Sequence, residues 1–564
     1  MTDATRTATA PKTAPAPPVP APGPAVWLTL ALCLVFVLQG LVLIPYVGIQ
    51  TDEALFGSAI YQPIGVEYAA RILGHTVPTM VMSYIGALKA WTYAVIFAVW
   101  PPSPYSLRIP VLLIGAVTIW LFFLLLRDMA GRRAALAGAA LLAFDTTFLL
   151  TTTFDWGPVA FQHLLLVAAV YFLFRFHRSG ELVWLCAGFF CLGMGLWDKA
   201  LFVWMLGGLT AAVIVVFPRQ FRFRLTWRNF GLAAACFLLG CWPLVGYNKA
   251  RELKTFRANA RYSAAGIDDK LDLIRWSMEG SSLLGYIVRE EPAPQPGHPA
   301  SSIEEWSVAL SGAMDEPRVA LTGVAFVLAL GLLPWLWATP ARKPILFALV
   351  FMVVTWVQMG FTQEAGGGTH HTVLLWPFPH LVIAIAFAQA TGVLRRAGLA
   401  VLAAAITIVC GSNFLVTNQH LTQLIERGAG PIWTDAIYPL AACLETVPAK
   451  RVYIMDWGMF DALRVLGQGR LPLAVGSDQV AKESMDNTDR RLLNEMLETS
   501  DAIYVGHTDG NETLSGVSAR MKAFAEAAGY RKRTLKVIGD RNGRPMFEVY
   551  RWVRSATSAA KQRS

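Results

Sequence analysis

Runs of about 20 apolar residues recur through the first three quarters of this 564-residue chain. A helix of about 20 apolar residues crosses the hydrocarbon layer of a bilayer, whereas the helices of soluble cores rarely stay apolar over such a length. The composition agrees, because 55% of the residues are hydrophobic and 15% are charged, against roughly 25% charged in soluble domains. The chain is therefore predicted to be a polytopic membrane protein, mainly α-helical, and not a large soluble one.

Short basic loops between the apolar runs predict the topology. Loops rich in Lys and Arg stay on the cytoplasmic side, and five stretches qualify: "RDMAGRR", "RFHR", "RQFRFRLTWR", "ARK" and "RR". Placing all five in the cytoplasm predicts about eleven spans and a cytoplasmic N-terminus. The predicted spans lie near residues 26–45, 108–127, 134–150, 157–174, 182–197, 200–217, 229–246, 319–338, 344–361, 373–391 and 398–416. These loops also account for the net charge of +10, so no nucleic-acid partner is inferred.

One further apolar stretch, "MVMSYIGALKAWTYAVIFAVW" from Met80 to Trp100, is also long enough to span. Counting it as a span would move every later basic loop to the outer side. Its Trp91, Tyr93 and Trp100 suit the membrane–water boundary. We therefore predict a helix that lies along the outer surface, with a span as the alternative.

The composition divides the chain into three parts. Residues 1–25, rich in Pro, Ala and Thr, are predicted to be a disordered cytoplasmic tail. Residues 26–420 form the membrane domain, with outer loops at about 46–107 and 247–318. Residues 430–564 alternate strand patterns such as "DAIYVGH" with helix patterns such as "DRRLLNEMLET", which predicts an extracytoplasmic (periplasmic) α/β domain.

The seven cysteines show neither disulfide nor zinc spacing. High Ala and Arg usage and the Pro-rich tail suggest a bacterium, and the predicted location is its inner membrane.

Two adjacent carboxylates follow the first predicted span. Asp52 and Glu53 lie in "YVGIQTDEALFGSAIY", and apolar residues follow them at once. They could be a polar cap where the chain leaves the bilayer. However, an ionisable group held near membrane depth is costly and indicates function.

Two more outer turns carry charges. The stretch "AFDTTFLLTTTFDWGPVAFQ" contains Asp145 and Asp155, which could instead cap helices. In "GLWDKALF", Asp198 and Lys199 could be a self-neutralised pair in a tight turn. Three outer turns are thus predicted to present carboxylates to one surface.

The order of these features resembles a known group. An acidic pair in "TDEALFGSAIY" follows the first span, then come an interfacial segment, "SPYSLRIP", an Asp-bearing loop and "GCWPLVGYN". This order over residues 26–420 is similar to that of the GT-C glycosyltransferases that use polyprenyl-phosphate sugars, in particular protein O-mannosyltransferases and lipid A aminoarabinose transferases. The resemblance implies that Asp52 is the general base, Glu53 its partner carboxylate and Asp155 the acidic residue of the second loop.

The implied reaction moves a sugar from a polyprenyl-phosphate donor to a hydroxyl acceptor, with inversion. The acceptor could be an envelope lipid, a glycan or a protein. A carboxylate takes the hydroxyl proton, and cations stabilise the departing phosphate. The predicted substrate-binding residues are Asp145 and the outer cations Arg71, Arg108, Lys199, Lys249, Arg251, His370 and His371.

The two histidines follow a glycine run in "QEAGGGTHHTVLLWPFPH", where backbone N–H groups could approach an anion. No cofactor is identified, and a divalent metal bound by such histidines is left open. Two other classes of function are alternatives: a transporter or flippase for a lipid-linked sugar, and a membrane-anchored binding protein. A transporter would need charges within its spans, and an anchor would leave Asp52 and Glu53 without a role.

Overall fold

The computed structural model describes residues 23–63, 65–224, 226–289, 296–313, 318–363 and 365–555. Most of the predicted disordered tail and the last nine residues of the chain lie outside these ranges. Up to residue 427 the described chain is mostly helical. Its helices are α1 (Pro24–Leu43), α2 (Thr51–Tyr61), α3 (Leu88–Phe97), α4 (Pro104–Ala130), α5 (Arg132–Phe144), α6 (Thr146–Thr153), α7 (Val159–Ser179), α8 (Leu182–Asp198), α9 (Val203–Val216), α10 (Pro218–Arg224), α11 (Trp227–Ala250), α12 (Lys254–Asn259), α13 (Ile267–Met278), α14 (Gly285–Arg289), α15 (Ser302–Gly312), α16 (Thr322–Gly331), α17 (Leu333–Leu336), α18 (Arg342–Phe361), α19 (Thr369–Thr372), α20 (Phe378–Gly392) and α21 (Arg396–Arg427).

The chain is a multi-pass membrane protein. Among the described residues, seven helical segments are long and apolar enough to cross a bilayer, and the bent pair α5–α6 would make an eighth. Three more predicted spans coincide with shorter apolar helices, α8, the segment Ala200–Val216 and α16. Each predicted span thus has a helical counterpart, but the count of eleven stays a prediction.

Local sequence signals explain where the long helices begin and end. Ser103 and Ser106 form a reciprocal capping box at the start of α4, which satisfies backbone N–H groups of its first turn. Gly131 ends α4 with φ 88°, and Gly180 ends α7 in the left-handed region. Glycine adopts these conformations without the steric cost that a side chain would add.

The prediction for Met80–Trp100 is wrong in its first part. The chain forms a three-stranded antiparallel sheet of β1 (Tyr68–Ile72), β2 (His75–Met82) and β3 (Ile85–Gly86) before α3 begins. Apolar strand residues of β2 pack inward at Met80 and Val81, so the apolar run is shared between a strand and a helix. At ten residues, α3 is too short to span.

The C-terminal region forms a five-stranded mixed sheet with strand order β5-β4-β6-β8-β7. Its strands are β4 (Arg451–Ile454), β5 (Leu473–Val475), β6 (Ala502–His507), β7 (Tyr530–Gly539) and β8 (Pro545–Arg554), and its helices are α22 (Ile437–Thr446), α23 (Phe460–Leu466), α24 (Ser477–Val480), α25 (Asn487–Glu498) and α26 (Val517–Ala527). The predicted fold class, a helical membrane bundle with a C-terminal α/β domain, is confirmed.

This domain shares a hydrophobic core with the membrane part. Ala54 and Phe56 of α2 and Tyr93 of α3 are buried in one cluster with Ile454 and Leu463 of the α/β domain. Ser58 Oγ donates to Asp461 Oδ1 at 2.6 Å across the same boundary. The α/β domain therefore packs directly on the helix that carries Asp52 and Glu53.

Candidate active site

The predicted carboxylate pair begins helix α2. Gln50 caps this helix, since its side-chain oxygen accepts the backbone N–H of Asp52 at 2.6 Å. Asp52 and Glu53 thus occupy the first turn, where the exposed N–H groups and the helix dipole favour negative charge. Asp52 is half-buried, whereas Glu53 is 1% exposed. The two neighbours therefore meet different environments.

Glu53 is neutralised by Arg108, and both side chains are buried. Arg108 donates from Nε to Glu53 Oε1 at 2.7 Å and from Nη2 to Oε2 at 2.8 Å. It also donates to the carbonyl oxygens of Ile44, Val47 and Gly48 at 2.7–3.0 Å. These contacts use the five N–H groups of the guanidinium, so no donor remains for a phosphate. The geometry favours a structural role for Arg108 over the predicted substrate-binding role.

Asp155 is also neutralised, by a cation that sequence reasoning missed. Lys89 Nζ of α3 lies 2.7 Å from Asp155 Oδ2, and both side chains are buried. Lys89 also donates to the carbonyl oxygen of Gly157 at 2.8 Å, and Asp155 Oδ1 accepts the backbone N–H of Ala160 at 3.0 Å. Lys89 lies 66 residues earlier in the chain, within an apolar run. The presence of a charged residue in that run is the one sequence signal that could have indicated its role.

Asp52 has no cation within ion-pair distance among the described residues. Its Oδ2 accepts the indole N–H of Trp156 at 2.6 Å and a longer bond from Gln50 Nε2 at 3.4 Å. Both donors approach the same oxygen, which leaves Oδ1 without a donor from the described part of the protein. Asp52 is thus the one predicted catalytic carboxylate that is held in place without being neutralised.

Lys199 interacts electrostatically with this carboxylate from the turn between α8 and the 3₁₀ helix Ala200–Phe202. Its backbone bridges to Ile85 of β3, which ties this turn to the three-stranded sheet outside the bundle. The residue is 3% exposed, and Nζ makes no hydrogen bond or ion pair with any described group. Burial lowers the pKa of Lys199 to about 8, although Asp52, Asp198 and Asp155 favour the charged form.

His370 and His371 pack on the same cluster. The His370 ring lies 4.6 Å from the Trp156 ring and 3.9 Å from the His371 ring. His371 Nδ1 accepts the backbone N–H of Gly366, which has φ 84°. The glycine run therefore folds back on His371, and His370 covers the indole that holds Asp52.

The structure does not bring Asp145 to this cluster. Its carboxylate caps α6 at the Phe148 N–H and accepts bonds from Trp376 Nε1 and His380 Nε2, both at 3.0 Å. These partners lie on α6, beside α20 and on α20, within the helical bundle. Asp145 fixes the break between α5 and α6, and its contacts do not support the predicted role in substrate binding.

The remaining predicted cations lie away from Asp52 on exposed surface. Arg71 is exposed on β1, and Lys249 and Arg251 are exposed at the end of α11. Arg251 lines a polar cavity of about 550 Å³ together with Glu67 and Lys254. No contact in the described structure joins any of the three predicted cations to the Asp52 cluster.

No group of three or more His, Cys, Asp or Glu side chains in the described residues is arranged to hold a metal ion. Glu53 and Asp155 each have a cationic partner. Among the described residues, the Asp52 carboxylate and the Lys199 side chain form no ion pair.

Comparisons with known proteins bear on the fold of the chain. Residues 86–247 match the family model of dolichyl-phosphate-mannose-protein mannosyltransferases. The structure is similar to that of ArnT from Cupriavidus metallidurans, with a TM-score of 0.55 and 12% identity over 93% of this chain and 97% of ArnT. The chain has the GT-C fold.

A second GT-C structure supports the same fold. The oligosaccharyltransferase of Archaeoglobus fulgidus, solved with a tethered acceptor peptide, matches with a TM-score of 0.52 and 10% identity over 94% of this chain and 74% of that one. ArnT has been solved both in the apo state and bound to undecaprenyl phosphate. No curated protein sequence matches the chain. At these identities the likeness establishes the GT-C fold, and the chemistry has to be argued from this chain's own residues.

Proposed function

We propose that this protein is a membrane glycosyltransferase that moves a sugar from a polyprenyl-phosphate donor to a hydroxyl acceptor. The observation that carries the proposal is the difference between the three acidic residues. Glu53 and Asp155 are each paired with a buried cation. Among the described residues, Asp52 keeps a carboxylate oxygen without a donor, and Lys199 has no ion pair but interacts with the charge of Asp52. A base and a separate cation are the two groups that transfer from a phosphate leaving group requires.

In the proposed reaction, Asp52 Oδ1 accepts the proton of the acceptor hydroxyl as its oxygen attacks the anomeric carbon. The bond between that carbon and the phosphate oxygen breaks, and its electrons remain on the phosphate. Lys199 stabilises the negative charge that develops there. Attack from the side opposite the phosphate inverts the anomeric centre, and Trp156 keeps the carboxylate oriented throughout.

The position of the site supports the proposed donor and its proposed location. The cluster lies where α1 has ended and α2 begins, at one end of the membrane bundle. A base at this depth meets both a lipid-anchored phosphate and a water-side acceptor. The ArnT complex with undecaprenyl phosphate supports the donor class. We place this end on the outer face of a bacterial inner membrane because the basic loops lie at the opposite ends of the helices.

The test compares Asp52→Asn with one control variant, Asp268→Asn, in cells and in purified protein. Asp52→Asn retains the acceptor for the Trp156 N–H but removes the basic oxygen, so transfer should fall at least about 10²-fold. Asp268→Asn removes an exposed carboxylate on α13 and should leave transfer unchanged. Envelope glycans and glycolipids, compared by mass spectrometry with and without the gene, identify the product.

Measurements of lipid-phosphate binding distinguish the proposed role of Asp52 as the base from that of Lys199 in binding phosphate. Lipid phosphate should bind Asp52→Asn nearly as well as the unaltered protein, and Lys199→Met should bind it about tenfold more weakly. An Asp52→Asn protein that is inserted in normal amounts and still transfers sugar at most of the normal rate would contradict the assignment of the base. An unchanged envelope in the gene deletion would contradict the proposed function itself.

A further inference from the structure

A second cavity lies at the far end of the bundle from Asp52. It has a volume of about 610 Å³ and lies between α7, α8, α9 and α11, within the roughly 300–1,000 Å³ typical of ligand pockets. Its lining reaches His177, which lies 18 residues beyond Val159 on α7. At 1.5 Å per residue this places the His177 end ~27 Å along the helix from the turn that holds Asp155.

The lining of this cavity is almost entirely apolar and continuous with the lipid-facing surface. Phe176, Phe217 and Ala234 are among the residues of its wall. Phe230 belongs to the same wall and is 56% exposed. In a multi-pass protein, an apolar cavity that reaches the outer surface of the helices opens toward the hydrocarbon of the bilayer.

The charges at the His177 end of this cavity are positive. Arg224 lines the cavity, with its guanidinium 5.2 Å from the Phe176 ring. Lys343 Nζ lies 5.8 Å from the Phe217 ring. No carboxylate lines the cavity among the described residues, and neither Arg224 nor Lys343 has an ion pair in the described part of the chain. Cations above an apolar slot match an anion that carries a hydrocarbon chain.

We propose that this cavity binds an anionic phospholipid of the bilayer. One acyl chain occupies the apolar slot, and the phosphate lies between Arg224 and Lys343. Basic pockets between membrane helices commonly hold anionic head groups in this way. The sugar donor does not fit this assignment, because its phosphate would have to reach Lys199 at the other end of the bundle.

The test uses the full-length protein, purified in detergent and exposed to phosphatidylglycerol or phosphatidylcholine. Native mass spectrometry then counts the lipid that remains bound after washing. Phosphatidylglycerol should be retained and phosphatidylcholine lost. Arg224→Gln should reduce retention about fivefold, the effect of one cation near an anionic lipid, and adding Lys343→Gln about fivefold more.

Three variants separate lipid binding from misfolding. Arg132→Gln removes an exposed cation of α5 at the same end and should retain lipid normally. Arg224→Lys keeps the charge and should retain most of it. Ala234→Phe fills the slot without changing any charge and should lose phosphatidylglycerol while eluting as a folded protein. Equal retention of both lipids, unchanged retention in Arg224→Gln or in Ala234→Phe, or co-purification of polyprenyl phosphate at this site would overturn the proposal.

Discussion

Replacing Arg108 by Gln tests whether this buried cation supports the fold or binds substrate. The substitution leaves Glu53 1% exposed, with no cation within reach in the described structure. It also removes the donors to the carbonyl oxygens of Ile44, Val47 and Gly48. These carbonyls belong to the short link between α1 and α2, so the change acts on the segment that positions Asp52.

The expected loss of stability is large. Removing one partner of a buried ion pair costs about 3–5 kcal/mol, and each buried acceptor left without a donor adds about 1–3 kcal/mol. These costs overlap, because the link can shift toward water. Even the lower bound of about 3 kcal/mol changes the ratio of folded to unfolded protein by roughly 10²-fold, since each 1.4 kcal/mol is a factor of ten.

The assay is thermal unfolding of the purified chain at a fixed scan rate, together with the amount of protein in the membrane. Arg71→Gln is the matched control, because Arg71 is exposed on β1, and surface changes usually stay within about 0.5 kcal/mol. The double variant Glu53→Gln/Arg108→Gln removes the unpaired charge. Its loss of stability should be about 0.5–3 kcal/mol smaller than the sum of the two single losses.

A particular result would refute this reasoning. If Arg108→Gln reached the membrane in normal amounts, unfolded at the normal temperature and bound lipid phosphate at least tenfold more weakly, then Arg108 would bind substrate and its contacts with the link would be secondary. If the loss of stability in the double variant equalled the sum of the two single losses, the ion pair would contribute no coupling energy.

Three further predictions concern the site. Binding of lipid phosphate should weaken as the pH rises through about 8, because burial lowers the pKa of Lys199 to about that value and only its protonated form attracts phosphate. The Lys199→Met variant should bind lipid phosphate weakly at every pH. If that variant still lost affinity as the pH rose through about 8, the titrating group would be another residue. Trp156→Phe should slow transfer about tenfold or more by removing the 2.6 Å bond to Asp52, which kinetics of the purified protein would measure, and an unaltered rate would contradict the orienting role. Gly48→Ala should destabilise the protein in thermal unfolding, because a Cβ there would lie 1.9 Å from the carbonyl oxygen of Thr434, and a normal midpoint would show that this backbone contact is not tight.

The positions of the charged turns could be predicted from the sequence more reliably than the roles of the residues within them. Asp52, Asp155 and Lys199 come together as the topology predicted, because each follows or precedes an apolar segment at the same end of the bundle. Their partners could not be predicted. The contact between Lys89 and Asp155 joins residues 66 positions apart, and only the folded path of α3 brings them to 2.7 Å.

The same limit explains why two predicted substrate-binding residues have other contacts. "SPYSLRIP" places Arg108 at the start of a predicted span, but nothing in the stretch indicates that Arg108 points inward to Glu53. Asp145 was predicted at the outer surface from its position between two apolar runs. The break between α5 and α6 instead directs it to Trp376 and His380 inside the bundle. Loop position predicts which end of a span a residue occupies, but not which neighbour it meets.

The placement of α2 between two partners explains how a carboxylate can be held without being neutralised. Its first turn is fixed from the membrane side, where Arg108 binds Glu53 and three carbonyl oxygens of the preceding link. Its later turns are fixed from the α/β domain, where Ser58 donates to Asp461 at 2.6 Å and a Cβ on Gly57 would meet Val465 at 3.0 Å. Because neighbouring residues supply the attachment, the Asp52 side chain is not needed for it. We infer that Glu53 anchors this turn through its ion pair with Arg108. The adjacent Asp52 is therefore free to accept a proton.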